Sequence, residues 1–144
     1  MTPQQIALVQ SSFKSVAPIA AKAADLFYDR LFAIAPEVRR LFPADLSVQK
    51  VKLMGMLATA VNNLHQIDAL LPALRQLGER HRGYGVSAGH FVPVGAALLW
   101  TLEEGLGSAF TPEVKAAWSE AYRALAGAMQ PSERQAAFTS RVRG

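Results

Sequence analysis

The chain has 144 residues, of which 51% are hydrophobic and 18% are charged, with a formal net charge of +4 and no cysteine. This composition indicates one globular domain, and it excludes intrinsic disorder, disulfide bonds and zinc–thiolate sites. The mild basic excess forms no stripe with interleaved aromatic residues, the N-terminus carries no signal-peptide pattern, and no apolar run approaches the roughly 20 residues that span a bilayer. We therefore expect a cytoplasmic chain without a nucleic-acid or membrane partner.

Apolar residues recur at helical spacing along almost the whole chain, whereas the alternation typical of strands is rare. This pattern predicts an all-α domain of six or seven helices. The opening residues 2–5, TPQQ, have the pattern of a capping box for a first helix, which ends or bends at Pro18. A second helix is predicted over 19–35. Pro36 then opens a short helical turn that ends near 41–43.

Four further helices are predicted, each beginning at a residue whose side chain commonly caps a helix. They are a helix from Ser47 to about 64, one over 69–82 capped by Asp68, one over 88–106 after Ser87, and one from Thr111-Pro112 to about 130. Gly83 and Gly85 are predicted to stop the second of these helices. The tail over 131–144 has weak periodicity and is predicted to be partly helical or frayed.

One histidine, His81, stands at the end of an apolar stripe on the predicted helix 69–82. Leu70, Leu74, Leu77 and His81 share one helix face, while the neighbouring charged residues mostly point elsewhere. Two interpretations stay open: a core histidine bonded to a backbone carbonyl, or a metal ligand. No second histidine, carboxylate or cysteine stands at ligand spacing nearby. A metal held here would have to bring its other ligands with it, as a haem iron does.

A flat apolar macrocycle needs a slot between helices that is lined by aromatic and aliphatic side chains. Phe42, in the corner before Pro43, is a candidate for stacking on such a ring. Two later helices carry apolar stripes that fit either a plain core or a cofactor wall. These stripes are Phe91, Val94 and Leu98 on helix 88–106, and Val114, Trp118, Tyr122, Leu125 and Met129 on helix 112–130.

Three stretches together make the chain similar to the globins over about residues 4–130. They are PEVRRLF at 36–42, LGERHRGYGV at 77–86, and FVPVGAALLWTLEEGLGSAFTPEVKAAWSEAY at 91–122. The last stretch is especially close to neuroglobin-like and single-domain bacterial globins. The resemblance implies a globin fold, in which helices A–H form a 3-on-3 sandwich around haem b (iron protoporphyrin IX). It also implies a globin domain over 1–130, with 131–144 as a C-terminal extension.

The resemblance also implies which residues form the haem site. His81 matches the family's proximal histidine, the iron ligand, and Phe42 matches its corner phenylalanine. Tyr28 matches the residue that faces the bound gas, Gln49 matches the position opposite the histidine, and Leu53 follows one turn later. This tyrosine–glutamine–leucine set resembles the distal pocket of flavohaemoglobins. The remaining implied haem contacts are Lys52 and Arg80, as partners of the propionates, with Leu77, Tyr84, Val86, Phe91 and Val94.

Two hydrogen-bond donors in the distal pocket, Tyr28 and Gln49, predict slow release of oxygen and high oxygen affinity, because bound oxygen carries partial negative charge. The resemblance therefore implies reversible oxygen binding for transport, storage or scavenging, with nitric oxide and carbon monoxide as further ligands. Two alternatives stay open. One is a nitric oxide dioxygenase that works with a separate reductase, and the other is a gas sensor.

The chain departs from flavohaemoglobins on the proximal side. In that family a glutamate and a tyrosine hold the proximal histidine and make it more anionic. By its spacing from Trp118, Glu133 matches the glutamate, although Pro131 interrupts the helix just before it. The tyrosine position holds Phe91. This departure puts the strong electron push of that family in question.

Overall fold

The computed structural model describes residues 1–83 and 88–129. Within these ranges the chain forms helices joined by short turns, without a strand, so the all-α prediction is confirmed. The helices are α1 (Pro3–Val16), α2 (Ala20–Ile34), α3 (Ser47–Asn62), α4 (Ile67–Gly83), α5 (Phe91–Leu106) and α6 (Pro112–Met129). Single 3-10 segments lie at Ala17–Ile19, Pro36–Leu41, Leu64–Gln66, Ala88–His90 and Gly107–Ala109.

Two helices begin as their sequences predict. At α1 the Thr2 hydroxyl accepts a hydrogen bond from the Gln5 amide at 3.1 Å, and the Gln5 side chain accepts one from the Thr2 amide at 3.0 Å. At α6 the Thr111 hydroxyl accepts from the Val114 amide at 3.2 Å. These bonds satisfy amides that have no partner inside a helix, so each fixes the residue at which its helix starts.

Two predicted caps are wrong. The amide and hydroxyl of Ser47 both donate to Asp45 Oδ1, at 2.9 and 2.6 Å, so Asp45 is the acceptor at the start of α3. The two bonds from Ser47 lower the pKa of the Asp45 carboxyl. Asp68 lies inside the first turn of α4, because that helix begins one residue earlier, at Ile67. Its negative charge still suits the positive end of the helix dipole.

The helices pack in pairs around one apolar core. Helix α2 lies against α5 and α3, while α1 and α4 both lie against α6. The core includes Val9, Phe13, Leu31, Val61, Leu98 and Trp118, each at most 7% exposed. The Trp118 indole N–H donates to the Ser12 hydroxyl at 2.8 Å, which satisfies the one polar atom of that side chain.

One salt bridge and one hydrogen bond from a side-chain amide connect α3 to its neighbours. Lys50 Nζ lies 2.8 Å from Asp25 Oδ1 of α2, and the Gln10 amide of α1 donates to the Val61 carbonyl at 3.0 Å. The hydrogen bond joins the last turn of α3 to α1, and the salt bridge holds the first turn of α3 beside the middle of α2. Gln49 and Tyr28 lie on these two stretches.

No helix in the ranges 1–83 and 88–129 is both long enough and apolar enough to cross a bilayer. The predicted boundary at residue 130 and the extension over 131–144 lie outside the ranges that the structure describes.

Candidate functional site

His81 lies in the last turn of α4 and is half-buried. Its Nδ1 lies 2.7 Å from the carbonyl oxygen of Leu77, one turn earlier. Because a carbonyl can only accept, Nδ1 of the neutral ring carries the proton and Nε2 keeps its lone pair. The carbonyl partner belongs to the first interpretation of the sequence, yet it leaves Nε2 available as a ligand. The two interpretations are therefore compatible.

The stripe on which His81 lies is partly buried, as its spacing predicts. Leu74 is 7% exposed, and Leu70 and Leu77 are half-buried. Helix α4 packs against α6 along this stretch. The closest approach is at Gly78, where an added Cβ would lie only 1.7 Å from the carbonyl oxygen of Met129. The absence of a side chain at 78 therefore sets how near α4 comes to α6.

Substitution of Gly78 by alanine is expected to lower the free energy of unfolding by about 2 kcal/mol or more, since the clash is with backbone that has no rotamer to change. Urea unfolding of the purified protein measures this loss. Gly127→Ala is the matched control, because Gly127 also lies in a helix and a Cβ there meets nothing within 4 Å. Equal midpoints for the two variants would contradict this account of the α4–α6 contact.

Tyr28 lies in the middle of α2 and is only 6% exposed. Its hydroxyl oxygen lies 3.5 Å from the backbone carbonyl of Gln49, which is long for an O–H···O bond. Burial raises the pKa of Tyr28 to about 12. The side chain therefore stays a neutral phenol at physiological pH, with a proton that it can donate to a stronger acceptor.

Three phenylalanine rings surround Tyr28 and hold its position. Its ring centroid lies 5.0 Å from that of Phe27, 5.9 Å from that of Phe32 and 5.6 Å from that of Phe42. Phe32 and Phe42 also contact each other at 5.6 Å. The sequence-predicted corner residue Phe42 thus lies edge-on against the sequence-predicted distal tyrosine.

Gln49 is half-buried in the first turn of α3, and its side-chain amide is a polar group of the site. Within the described residues, its Oε1 is buried and makes no hydrogen bond. Buried polar atoms are almost always paired, so an orphan of this kind indicates a group that the protein itself does not supply. A terminal amide can also turn its NH₂ to the same place, and so offer a donor or an acceptor.

Leu53, one turn after Gln49, lines a small apolar cavity. The cavity has a volume of about 20 Å³, which is room for roughly one water-sized molecule. Its walls come from α1, α2, α3, α5 and α6 and include Phe27, Leu53, Leu98 and Trp118. Neither His81, Tyr28, Gln49 nor Phe42 lines it.

The other residues that the resemblance implies as haem contacts lie at exposed or half-buried positions, or outside the described ranges. Lys52 and Arg80 are exposed, which suits a partner for a solvated carboxylate. Phe91 and Val94 are half-buried on α5, and Val94 packs against the core. Tyr84, Val86 and Glu133 lie outside the described ranges.

Tyr122 of α6 contacts the start of α5. Its hydroxyl donates to the carbonyl oxygen of Phe91, and its ring lies directly over Gly95, where a Cβ would come within 2.6 Å of the ring. The sequence pattern predicts only that Tyr122 lies in an apolar stripe of its helix. The structure adds that this tyrosine fixes the first turn of α5.

A stability loss at alkaline pH is expected from the buried Tyr28 and the half-buried Tyr122. Burial raises the pKa of both Tyr28 and Tyr122 to about 12, from an ordinary value near 10. Between about pH 10 and 12 the unfolded chain loses these protons while the folded chain keeps them, so the free energy of unfolding falls as pH rises. Urea unfolding at pH 9 and 11 measures the fall. It should be smaller in Tyr28→Phe, and an unchanged fall in that variant would contradict the assignment.

Comparison with known proteins places this arrangement in a family. The family model for globins matches residues 25–129. A flavohemoprotein of Bacillus subtilis is 33% identical over 105 residues, which is 71% of this chain and 26% of that protein. An anaerobic nitrite reductase of Oryza sativa subsp. indica is 31% identical over 136 residues, covering 90% of this chain and 94% of that protein.

A solved structure agrees with these relatives. An engineered carbene transferase, a proposed nitric oxide dioxygenase from Rhodothermus marinus, superposes with a TM-score of 0.83 at 27% identity, over 100% of this chain and 99% of that one. The chain spans about a quarter of the flavohemoprotein and almost all of the other two proteins. With a family model over most of its length, this chain belongs to the globin family.

Proposed function

We propose that this chain is a haem protein that binds dioxygen reversibly and releases it slowly. The observation that carries the proposal is the side-chain oxygen of Gln49, which is buried and has no hydrogen-bond partner among the described residues. The buried phenol of Tyr28 lies 3.5 Å from the backbone carbonyl of the same residue. A buried oxygen that served only the fold would have a partner, and the contact of the Tyr28 hydroxyl with backbone is long for a hydrogen bond. The free hydrogen-bonding capacity of these two groups suits a small polar guest.

The residues present fit haem b. His81 offers Nε2 to the iron, since Nδ1 is held by the Leu77 carbonyl. Phe42 offers an aromatic surface, and Lys52 and Arg80 offer exposed positive charge for the propionates. Haem supplies a ferrous iron that binds diatomic gases, a chemistry that no side chain of the protein provides. The protein's part is to hold it, to exclude bulk water and to place hydrogen-bond donors.

Tyr28 and Gln49 are the donors that favour oxygen. A hydrogen bond to an acceptor with partial negative charge is stronger than one to a neutral acceptor, so dioxygen gains more from these groups than carbon monoxide does. The long contact from Tyr28 to the Gln49 carbonyl costs little to give up. The phenol is therefore ready to turn to a guest without leaving a strongly paired group behind.

Uptake of haem and of oxygen tests the proposal directly. The purified protein is titrated with haemin, reduced, and its oxygen equilibrium curve is recorded. We expect uptake of one haem per chain and oxygen binding that is half-saturated at low oxygen pressure. The proposal would be overturned by a protein that takes up no haem, or by one whose reduced form oxidises in air without binding oxygen.

Oxidation of nitric oxide to nitrate is the second candidate, because the solved structure that is similar to this chain is that of a proposed nitric oxide dioxygenase. The overall reaction combines one nitric oxide, one dioxygen and one electron into nitrate, so a separate reductase must supply the electron. The neutral carbonyl partner of His81 Nδ1 favours the first candidate, since a carboxylate partner would make the imidazole more basic.

Turnover separates the two candidates. Oxygenated protein is mixed with nitric oxide in the presence of a flavin-dependent reductase and its nicotinamide cofactor, and nitrate is measured over time. Many nitrate molecules per chain, at a rate set by reductase concentration, would favour the dioxygenase. A single turnover that no added reductase extends would leave oxygen binding as the function.

A further inference from the structure

The segment between α2 and α3, which we call the corner, carries Phe42. It makes few of the regular backbone hydrogen bonds of a helix. It begins with the 3-10 segment Pro36–Leu41 and ends where α3 starts at Ser47. The amide of Phe42 donates to the Arg39 carbonyl at 3.1 Å. The carbonyls that follow cannot be used by a helix, because Pro43 and the extended backbone of Phe42 end the segment.

Arg39 supplies the missing donors to three successive carbonyls. Its Nη1 donates to the oxygen of Phe42 at 3.3 Å and to that of Pro43 at 2.8 Å, and its Nη2 donates to that of Ala44 at 3.0 Å. The side chain is half-buried, and of the three bonds the one to Phe42 is partly buried while the other two are exposed. The planar guanidinium donates from two nitrogen atoms held in a rigid fork, whereas a lysine ammonium has a single nitrogen from which to donate.

The same guanidinium also lies over one ring of the aromatic cluster around Tyr28. The Arg39 Cζ lies 5.1 Å from the ring centroid of Phe32, which is within range of a cation–π contact. Phe32 in turn contacts both Phe42 and Tyr28. One side chain therefore holds the backbone that carries Phe42 and also covers a ring that supports Tyr28.

We propose that Arg39 is a positioning residue of the distal pocket: by clamping the corner and Phe32 together, it fixes Phe42 and the Tyr28 phenol and so slows the release of oxygen. This inference rests on the proposed oxygen-binding function. Arg39 does not itself contact the guest. It acts through the position of Tyr28, so its effect on oxygen depends on the presence of the Tyr28 hydroxyl.

Two substitutions at 39 and one control test the clamp. Arg39→Met keeps a long side chain and removes all the donors, while Arg39→Lys keeps the positive charge and removes the fork. Arg40→Met is the matched control, because Arg40 is the adjacent arginine and is exposed. Each variant is also made together with Tyr28→Phe, and circular dichroism checks that each is folded.

The first measurement needs no oxygen. Hydrogen exchange, followed by mass spectrometry on the protein as purified with its haem, reports the backbone amides of residues 40–47. We expect about tenfold faster exchange there in Arg39→Met, a smaller rise in Arg39→Lys, and wild-type exchange in Arg40→Met. Wild-type exchange in Arg39→Met would overturn the clamp itself, whatever the protein binds.

The second measurement is the oxygen dissociation rate, followed by replacement with carbon monoxide. We expect Arg39→Met to raise this rate by about threefold to tenfold, and by less than about twofold when Tyr28 is already phenylalanine, because residues that act through one another are not additive. An equal rise in both backgrounds, or a rate within twofold of Arg40→Met, would overturn the inference. A wild-type protein that takes up haem and yet binds no oxygen would overturn the proposed function, and the exchange result would still show whether the clamp exists.

Discussion

Replacement of His81 by glycine is expected to remove the iron ligand and with it most of the haem. The stripe Leu70, Leu74 and Leu77 would remain, so the variant should fold, but no other described residue on α4 offers a ligand nitrogen. The glycine leaves a space of about one imidazole ring. Free imidazole at millimolar concentration should therefore enter it and restore haem binding, as a detached copy of the missing side chain.

Haem retention is measured by transfer to an excess of an apoglobin that binds haem tightly. We expect the half-time of haem loss to shorten at least a hundredfold in His81→Gly, since a bond worth about 3 kcal/mol or more changes a rate constant by that factor. His65→Gly is the control, because His65 is an exposed histidine that lies on the 3-10 segment Leu64–Gln66. Haem loss at the wild-type rate in His81→Gly would show that another residue holds the iron.

Replacement of Tyr28 by phenylalanine is expected to raise the oxygen dissociation rate by about tenfold to a hundredfold. This range corresponds to the loss of one hydrogen bond to a charged or partly charged acceptor, about 1.5–3 kcal/mol. The carbon monoxide dissociation rate should change much less, because that ligand carries less negative charge. The ratio of the two effects therefore separates a lost hydrogen bond from a pocket that has merely changed shape.

Tyr122→Phe is the control for the Tyr28 experiment, because it also removes a phenol whose pKa is raised by burial. The hydroxyl of Tyr122 bonds to the Phe91 carbonyl, so its loss should lower stability and leave oxygen release unchanged. Stopped-flow displacement of oxygen by carbon monoxide gives the rate for each protein. If both tyrosine variants release oxygen equally fast, the effect belongs to the core and not to the distal pocket.

Much of the fold could be predicted from local sequence signals. The capping box at Thr2 and the cap at Thr111 act within a single helix turn, and both are found as predicted. The start of α3 could not be settled in this way, because Asp45 and Ser47 are both good capping residues two positions apart. The hydrogen bond from Ser47 to Asp45 depends on the path of the backbone between α2 and α3. Arg39 donates a hydrogen bond to that backbone at Ala44.

For the candidate site, spacing predicts which residues share a helix face, but it does not predict their hydrogen bonds. Spacing predicts that His81 shares a face with leucines, and the structure places Leu74 in the core. No local pattern predicts that the Gln49 oxygen is buried without a partner, since its burial depends on the packing of α3 against α2. The adjacent pair Arg39 and Arg40 shows the same difficulty, because only the fold determines which of the two turns inward.

Gly78 is a residue whose importance a sequence signal could have indicated. An isolated glycine inside a helical pattern costs about 1 kcal/mol relative to alanine, so its presence suggests a close approach by another element. The structure identifies that element as the backbone of Met129 on α6. The same reasoning applies at Gly95, where the ring of Tyr122 occupies the place of a side chain.

The visible absorption spectrum of the reduced protein tests the central claim most directly. Recorded under argon and then in air, it reports whether a histidine alone holds the iron and whether the opposite side is open to oxygen. We predict a five-coordinate ferrous spectrum under argon that converts in air to a long-lived oxygenated spectrum. A six-coordinate ferrous spectrum under argon, which would mean that a protein group occupies the oxygen side, or the absence of any haem band would contradict the account.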